Sequence, residues 1–529
     1  MMAKIMQDIR YDILEAEFLV QGFTHGFSLN YQGPRQPRES RNLNSAITRP
    51  EVVRQKLSKE IVAGRVAGPF PSRPLPDLRV SPIGLVPKKV PGEYRLIHHL
   101  SHPKGESVND FIDPKLCSVQ YTSFDEAIYM LQDLGQHCNL FKIDLRNAFR
   151  LLPVRPEDFD LLGFKFDIYY FIDKCVPFGC SISCSLFERF ATFVEFYVKS
   201  CMSSGSLIHY LDDFLGGDRT DEACAQAMAI FKDCAAKLNI PLADEKSAGP
   251  TEIISYLGME LDSAKMVVRI PQEKLTDLVS KIENILGKPK STLHDVQSLI
   301  GSLNFCCRVI VVGRPFCRRL IDATCGLTKP YHHIRLNNGI KLDLYMWLDL
   351  LRNYNGISVF HDRYWVSNIE AQLFTDSAGG RGRGFGAYFQ GHWFTGMWPD
   401  SWHDKGYTTD IAMLELFPIF ISLVVWGEQL RNKKIVFHCD NMAVVYILNT
   451  MSAKSELVMY IVRKLALFAF HSNIVVKAVH VEGIRNVICD ALSRFQWDKF
   501  RELAPDADKE PYVVPSYLWN IFDAGPGVS

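Results

Sequence analysis

The stretch Ile208-His209-Tyr210-Leu211-Asp212-Asp213-Phe214-Leu215-Gly216 sets two adjacent carboxylates between apolar, strand-forming flanks. Side chains alternate between the two faces of a strand, so neighbouring acids can serve one centre only where the chain turns. The stretch therefore predicts a tight β-hairpin with Asp212 and Asp213 at its tip and with buried apolar arms. Neither acid has a nearby base in sequence. A divalent cation is the fitting counter-charge, and hard oxygen ligands suit Mg²⁺. A solvated Asp-Asp turn is the plain alternative, so the rest of the chain has to decide.

Asn139 to Leu145 reads as a buried strand that delivers Asp144 near its end. An Asp in such a strand is costly unless it is paired or metal-bound, which places it beside Asp212 and Asp213. Residues 1–47 carry a short patterned start and then a polar linker with Arg35, Arg38 and Arg41. A helix is expected from Arg49-Pro50 to about Ala63. Ser81 to Ile97 reads as strand–turn–strand, with Pro91-Gly92 in the turn and Lys88, Lys89 and Arg95 projecting. Those cations are either ordinary solvated charge or a grip for a triphosphate, which Arg holds bidentately and Lys as a point charge.

Ser123 and Glu126 fit a capping box for a helix with Phe124, Ile128, Leu131 and Leu134 in helical spacing, closed by Gly135. Val176 to Ser181 forms a loop opening an amphipathic helix striped by Leu186, Phe190, Phe193 and Tyr197. Another helix spans Thr220 to Leu238, followed by strands Ile253–Glu260 and Met266–Ile270. Pro271 starts a helix that Gly287 closes, and Thr292 to Asp295 caps the next. Phe305 to Arg319 holds Arg308, Arg314, Arg318 and Arg319 with no acid, as a solvated face or as a surface tracking a phosphate backbone. Residues 331–370 show aromatics but no clear pattern.

From Ala371 the order becomes β-β-β-α-β-α-α-β-α, an α/β domain. Its strands fall near 371–378, 383–389, 392–398, 434–440 and 474–481. Asp376, Glu415, Asp440 and Asp490 end strands or line helices facing one sheet edge. Each carboxylate set could hold two divalent ions roughly 3.5–4 Å apart, the arrangement for in-line phosphoryl displacement.

The 529 residues suffice for roughly three or four domains. Lys+Arg and Asp+Glu both number 59, which leaves nucleic-acid binding open because binding needs only a local basic track. The 14 cysteines show no metal spacing and read as reduced thiols. No secretory signal is read, and the apolar run Ile411 to Trp426 is too short to span a bilayer and contains Glu415 and Pro418. An intracellular protein of cytoplasm or nucleus, with no membrane partner, is expected.

The motifs now support a resemblance over roughly residues 48–497. Tyr210-Leu211-Asp212-Asp213 resembles the YxDD box of reverse transcriptases, and Phe141 to Phe149 resembles their first-Asp motif. Pro177-Phe178-Gly179 resembles the loop on the nascent base pair, and Tyr256-Leu257-Gly258 the primer grip. The last third resembles a retroelement ribonuclease H through Asp376, Glu415, Asp440 and Asp490. Val86-Pro87-Lys88-Lys89, Tyr94-Arg95-Leu96-Ile97, Leu299 to Phe305 and Asn486 to Arg494 are similar to elements of the DIRS type, with Ty3-like elements as neighbours.

The resemblance implies an α+β right-hand polymerase (fingers, palm, thumb) followed by an α/β ribonuclease H-like domain. Its expected divisions are an extension at 1–47, fingers and palm at 48–262, thumb at 263–330, connector at 331–368, ribonuclease H at 369–497 and a tail at 498–529. It implies two Mg²⁺ ions per active site, with Mn²⁺ as an alternative. Their ligands would be Asp144, Asp212 and Asp213 in the first site, and Asp376, Glu415, Asp440 and Asp490 in the second.

Lys88 or Lys89, with Arg95, would hold the incoming phosphates, and Phe178 and Gly179 would face the nascent pair. Phe149 would be a steric gate against a ribose 2′-hydroxyl, with a core aromatic as its plain alternative. Lys246 would protonate the leaving group or stand as a surface charge. His480 resembles a mobile histidine that aids product release.

The implied partners are an RNA template, a DNA primer, the RNA/DNA hybrid and deoxynucleoside triphosphates. Neither a zinc integrase pattern nor a recombinase tyrosine site is found, so integration would need a separate recombinase or integrase chain. Asn147 stands where several relatives have an acid, and Phe178 where some have Gln. Two rival readings are a catalytically silent, domesticated nucleic-acid-binding protein and a hybrid nuclease with an inert polymerase lobe.

Overall fold

The computed structural model describes the chain apart from residues 89–91, 354–363, 368, 372, 440, 481–485 and 523–529. The chain divides into two compact units, Met1–Leu257 and Gly258–Ser529. Among the described residues no helix is long and apolar enough to cross a membrane.

The first unit begins with α1 (Met2–Asp8) and α2 (Ile13–His25). The segment is less of a linker than its sequence suggests: Met6, Leu19, Phe27, Leu29 and Tyr31 are buried in the same core as the sheet residues Phe141 and Ile143. The Phe27 N–H donates to the Pro153 carbonyl at 2.7 Å, so partners far along the chain fix it. Next come α3 (Pro50–Val62), β1 (Val66–Phe70), and the hairpin β2 (Ile83–Pro87) and β3 (Tyr94–His98). Helix α4 (Phe124–Leu134) starts as its capping residue predicts, with Ser123 Oγ accepting from the Glu126 N–H.

Strands β4 (Asn139–Asp144), β5 (Gly163–Phe166) and β6 (Tyr169–Asp173) lead to α5 (Ser183–Cys201). The expected stripe Leu186, Phe190, Phe193 and Tyr197 is buried. The hairpin β7 (Ser206–Tyr210) and β8 (Asp213–Asp218), α6 (Asp221–Lys237), β9 (Ala248–Thr251) and β10 (Ile253–Tyr256) complete the unit. The four-stranded sheet runs β9-β4-β8-β7. Helices α5 and α6 pack on the hairpin strands, and Phe214 meets Phe231 of α6 edge-on at 5.0 Å. Gly216 pairs opposite Phe141, and a Cβ there would fall 2.3 Å from that ring. Only glycine lets the two strands close at this point.

The expected strand Ile253–Glu260 is broken. Leu257 and Gly258 both take positive φ, at 46° and 81°, and turn the chain into β11 (Met259–Asp262). Strand β11 pairs with β12 (Val267–Arg269). Then follow α7 (Gln272–Leu286) and α8 (Leu293–Cys306), the latter capped by Thr292 Oγ1 accepting from the Asp295 N–H at 3.1 Å. The arginine-rich stretch is not free of acids in space. Arg318 pairs with Asp322 at 2.7 Å and Arg319 with Asp343 at 3.0 Å. Asp322 belongs to α9 (Arg318–Thr324) and Asp343 to α10 (Asn338–Asn353), a helix the sequence reading missed.

The remaining elements are β13 (Trp365–Ser367), β14 (Leu373–Ser377), β15 (Gly384–Phe389), β16 (His392–Met397), α11 (Ile411–Trp426), β17 (Lys434–Cys439), α12 (Met442–Thr450), α13 (Glu456–His471), β18 (Val475–His480), α14 (Val487–Ser493) and α15 (Trp497–Leu503). Strands β14, β15 and β16 form an antiparallel meander, and β17 pairs parallel to both β13 and β18. Helix α11 is buried almost all round, as its uniformly apolar sequence requires. Val514, Leu518 and Ile521 enter this domain's core, and the Trp519 ring lies 5.7 Å from Phe385. Residues 514–521, expected as part of a tail, therefore pack into this domain.

Candidate active site

The hairpin forms where the sequence places it. Tyr210 and Asp213 are cross-strand partners, which leaves Leu211-Asp212 as a two-residue turn. Leu211 takes φ 53°, a left-handed conformation that bulky residues seldom adopt and that clusters at functional sites. Asp213 lies directly opposite Asp144 in the antiparallel β8–β4 register. The Leu145 N–H donates to the Asp212 carbonyl at 3.0 Å, so the turn is fastened to the end of β4. Three carboxylates thus share one end of one sheet.

Lys246 donates to both Asp144 oxygens, at 2.9 and 3.0 Å. Its ammonium is part of the site as well as partly exposed. Burial pushes the Asp212 carboxyl up to about 6, and the charges of Asp144 and Asp213 add to the rise. Asp213 is raised by burial and by Asp144. Among the described residues no three Asp, Glu, His or Cys side chains are drawn together into a ready-made metal cage. The donor set still fits a hard divalent cation: three carboxylates stand at one end of the sheet, and a cation there relieves the repulsion that raises Asp212 and Asp213.

Beneath the hairpin, His209 is buried on β7 with Nδ1 2.5 Å from Glu195 Oε2. Nε2 lies 3.3 Å from Glu188 Oε1, within ion-pair range. Burial works against the charged imidazole, yet Glu188 and Glu195 outweigh it and raise it to about 9. Both glutamates belong to α5, so this ion set ties β7 to its supporting helix.

A cavity of about 310 Å³ opens in the first unit, lined by Lys56, Lys59, Lys88, Arg95, Asn147 and Phe178 among others. Lys88 also pairs with Glu93 at 3.0 Å, and Arg95 lies 4.8 Å over the Phe178 ring. Lys56 and Lys59 of α3 were missed, although their spacing puts both on one helix face. Lys89 lies outside the described residues. Phe149 packs against Phe178 at 5.3 Å and Phe187 at 5.5 Å. Gly179 takes φ +116°, and a Cβ there would meet the His98 carbonyl at 2.2 Å, so the loop needs glycine. Arg150, a buried residue that lines this cavity, was also missed.

In the second unit Asp376 stands on β14, Glu415 on α11 and Asp490 in the first turn of α14. Both helices pack on β14. Ser493 Oγ lies within hydrogen-bond distance of both Asp376 Oδ2, at 2.7 Å, and the Asp490 carbonyl, at 3.1 Å, and its single proton can serve either, which sets the two acidic positions side by side. Asp490 pairs with Arg494 at 2.6 Å and lies 3.6 Å from Lys499. Asp440 falls outside the described residues, while His480 is exposed at the end of β18.

Residues 86–261 match the family model for reverse transcriptase (RNA-dependent DNA polymerase). The chain is 28% identical over 170 residues to the Gag-Pro-Pol polyprotein of sheep pulmonary adenomatosis virus, covering 31% of this chain and 9% of that protein. It is 25% identical over 202 residues to that of Mason-Pfizer monkey virus, covering 37% of this chain and 11% of that protein. The chain thus spans about a tenth of the length of these curated relatives.

Two solved structures of foamy viral protease-reverse transcriptase share the fold at 14% identity. The dRH form in complex with double-stranded DNA gives a TM-score of 0.52 and covers 90% of this chain and 80% of that one. The complex with RNA/DNA hybrid gives 0.51 and covers 97% and 64%. The chain therefore has a right-hand polymerase fold, and the stretch whose register sets Asp213 opposite Asp144 is similar to the reverse transcriptase family and to retroviral Pol proteins.

Proposed function

We propose that the chain is an RNA-directed DNA polymerase that extends a DNA primer on an RNA template. The observation that carries this is the register pairing of Asp213 with Asp144, with Asp212 in the turn between β7 and β8. Asp144, Asp212 and Asp213 would hold Mg²⁺. When bound, the ions supply activation of the primer 3′-hydroxyl and charge stabilisation at the phosphates.

The chain's own groups supply the rest. Lys246, held on Asp144, stands ready to give a proton to the departing pyrophosphate. Lys56, Lys59, Lys88 and Arg95 attract the triphosphate into the cavity. Phe178 shapes its wall, Gly179 lets the loop that carries Phe178 close on His98, and Phe149 supports that wall as the gate against a 2′-hydroxyl.

We further infer a ribonuclease H activity in the second unit, resting on Asp376, Glu415, Asp440 and Asp490. Its support is the Ser493 bridge between β14 and the helix that carries Asp490. Such a pair of activities suits replication of a retroelement inside the cell, with a separate recombinase or integrase chain completing insertion. The Val86 to Lys89, Tyr94 to Ile97 and Asn486 to Arg494 motifs favour an element of the DIRS type over a Ty3-like one.

The test is Mg²⁺-dependent extension of a DNA primer on an RNA template by wild type and Asp212→Asn side by side. Extension that vanishes in the variant supports the polymerase. No extension by folded wild type that still binds the hybrid moves the reading to a silent binding protein. Cleavage of the hybrid's RNA strand without extension moves it to a nuclease with an inert polymerase lobe.

A further inference from the structure

The loop from Asp144 to Arg150 is anchored at both ends and strained in the middle. At its start, Asp144 is fixed by β8 and by Lys246, and the Arg146 N–H donates to the Pro241 carbonyl at 2.8 Å. In the middle, Asn147 and Ala148 take φ +73° and +38°, the region ordinary side chains avoid. Such a turn persists only where its surroundings over-determine it. Its far end is Arg150, whose side chain is 8% exposed.

Arg150 is not a solvated charge. Nη1 lies 2.6 Å from Asp173 Oδ1 at the end of β6, and it donates to the Cys175 carbonyl at 3.0 Å. Nη2 donates to Glu60 Oε2 of α3 at 3.0 Å, and Nε reaches the same oxygen at 3.2 Å. Arg65 holds Glu60 from the other side through two bonds of 2.9 Å. A planar guanidinium with donors on three sides can join a helix, a strand end and a loop in this way, and a lysine cannot. The same ion set lines the cavity: Glu60, Arg65, Asn147, Arg150 and Asp173 all face it. Between the strained turn and this anchor sits Phe149, braced by Phe178 and Phe187.

We propose that Arg150, bound to Glu60 and Asp173, is a positioning residue for sugar selection: it holds the Asn147–Arg150 turn closed so that Phe149 and Asn147 exclude a 2′-hydroxyl from the nucleotide cavity. The proposal rests on the polymerase reading given above. Arg150 touches no reacting atom and acts through its neighbours in the turn. Releasing it lets the left-handed turn relax and the Phe149 ring move off Phe178, which lines the cavity, and so widens the space where the sugar enters.

The experiment compares single-nucleotide insertion of deoxyribo- and ribonucleoside triphosphates by full-length wild type, Arg150→Met and Arg150→Lys. The readout is the ratio of kcat/KM for the two sugars. The expected result is a fall of tenfold or more in that ratio for Arg150→Met, with partial recovery in Arg150→Lys. A ratio unchanged within twofold, with both sugars slowed equally, overturns the proposal, since a merely structural residue would give that pattern.

Arg150→Met leaves Asp173 buried without its partner, which can unfold the unit. Should it do so, Arg150→Met/Asp173→Asn removes both charges and takes its place, with the same two outcomes. If wild type inserts neither nucleotide, the polymerase reading itself falls and takes the proposal with it. An active wild type with an unchanged ratio removes the proposal alone.

Discussion

Asp212→Asn should make the protein inactive and more stable at once. The Asp212 carboxyl is raised from 3.8 to about 6, chiefly by burial. Each pKa unit is worth about 1.36 kcal/mol, so the ionised carboxylate costs the fold about 3 kcal/mol, and nearer 1–2 once solvent screening at the partly exposed turn is allowed for.

The sign follows from linkage. An acid whose folded pKa is raised contributes stability that is fully present below the unfolded value and lost as pH rises through the folded one. The variant's advantage therefore opens between 3.8 and about 6 and stays level above that. At roughly 2–4 °C per kcal/mol for a unit of this size, the melting gap at neutral pH is about 2–8 °C. Calorimetry of both proteins from pH 4 to 8 without divalent ions measures it. Millimolar Mg²⁺ should then raise the melting temperature of wild type alone and narrow the gap. Equal melting at pH 7, or a variant that melts lower, would refute the electrostatic account of the site.

Three further outcomes follow from the same geometry. His209, raised to about 9, contributes stability that is complete below pH 6.5 and lost as pH climbs through 9, so wild type should lose about 3 kcal/mol there while His209→Gln lacks that loss in urea titrations. Asp376→Asn should abolish cleavage of the RNA strand in a hybrid while primer extension persists; loss of both activities would show that the two sites are not independent. Leu518→Ala, emptying a fully buried position, should destabilise the second unit by about 2–5 kcal/mol in denaturant melts, and a neutral result would mean the C-terminal segment does not belong to that core.

Much of the site was legible because its chemistry is written locally. Adjacent acids between strand arms force a turn, Ser123 and Thr292 announce their helices, and the β-β-β-α order from Ala371 follows from alternation and glycine turns. What was missed depends on partners distant in sequence. Helix α10 was within reach: Ile340, Leu344, Trp347, Leu348 and Leu351 keep helical spacing, and Asn337 Oδ1 caps it by accepting from the Ile340 N–H at 2.9 Å. The dense aromatics around that stretch hid the period.

The N-terminal residues gave no such signal, since Phe27 acquires its place only by bonding to Pro153. The role of Arg150 has no local sign in the sequence, because nothing nearby shows that Glu60 and Asp173 close around it. The break at Leu257-Gly258 was hidden inside an apolar run that alternation alone reads as one strand.

The pairing of Asp213 with Asp144 makes β4 a ruler. Strand side chains swap faces with every residue, so one residue inserted or lost between Asn139 and Asp144 would either turn the aspartate away or, with its pairing to Asp213 kept, flip the strand residues before the change to the wrong face. No compensating substitution restores both at once. Descendants of this gene can therefore drift widely in sequence along β4 but not in length. Insertions would collect instead at turns such as Asp167-Ile168, where Ile168 is already exposed and the hairpin absorbs an added residue without moving the sheet.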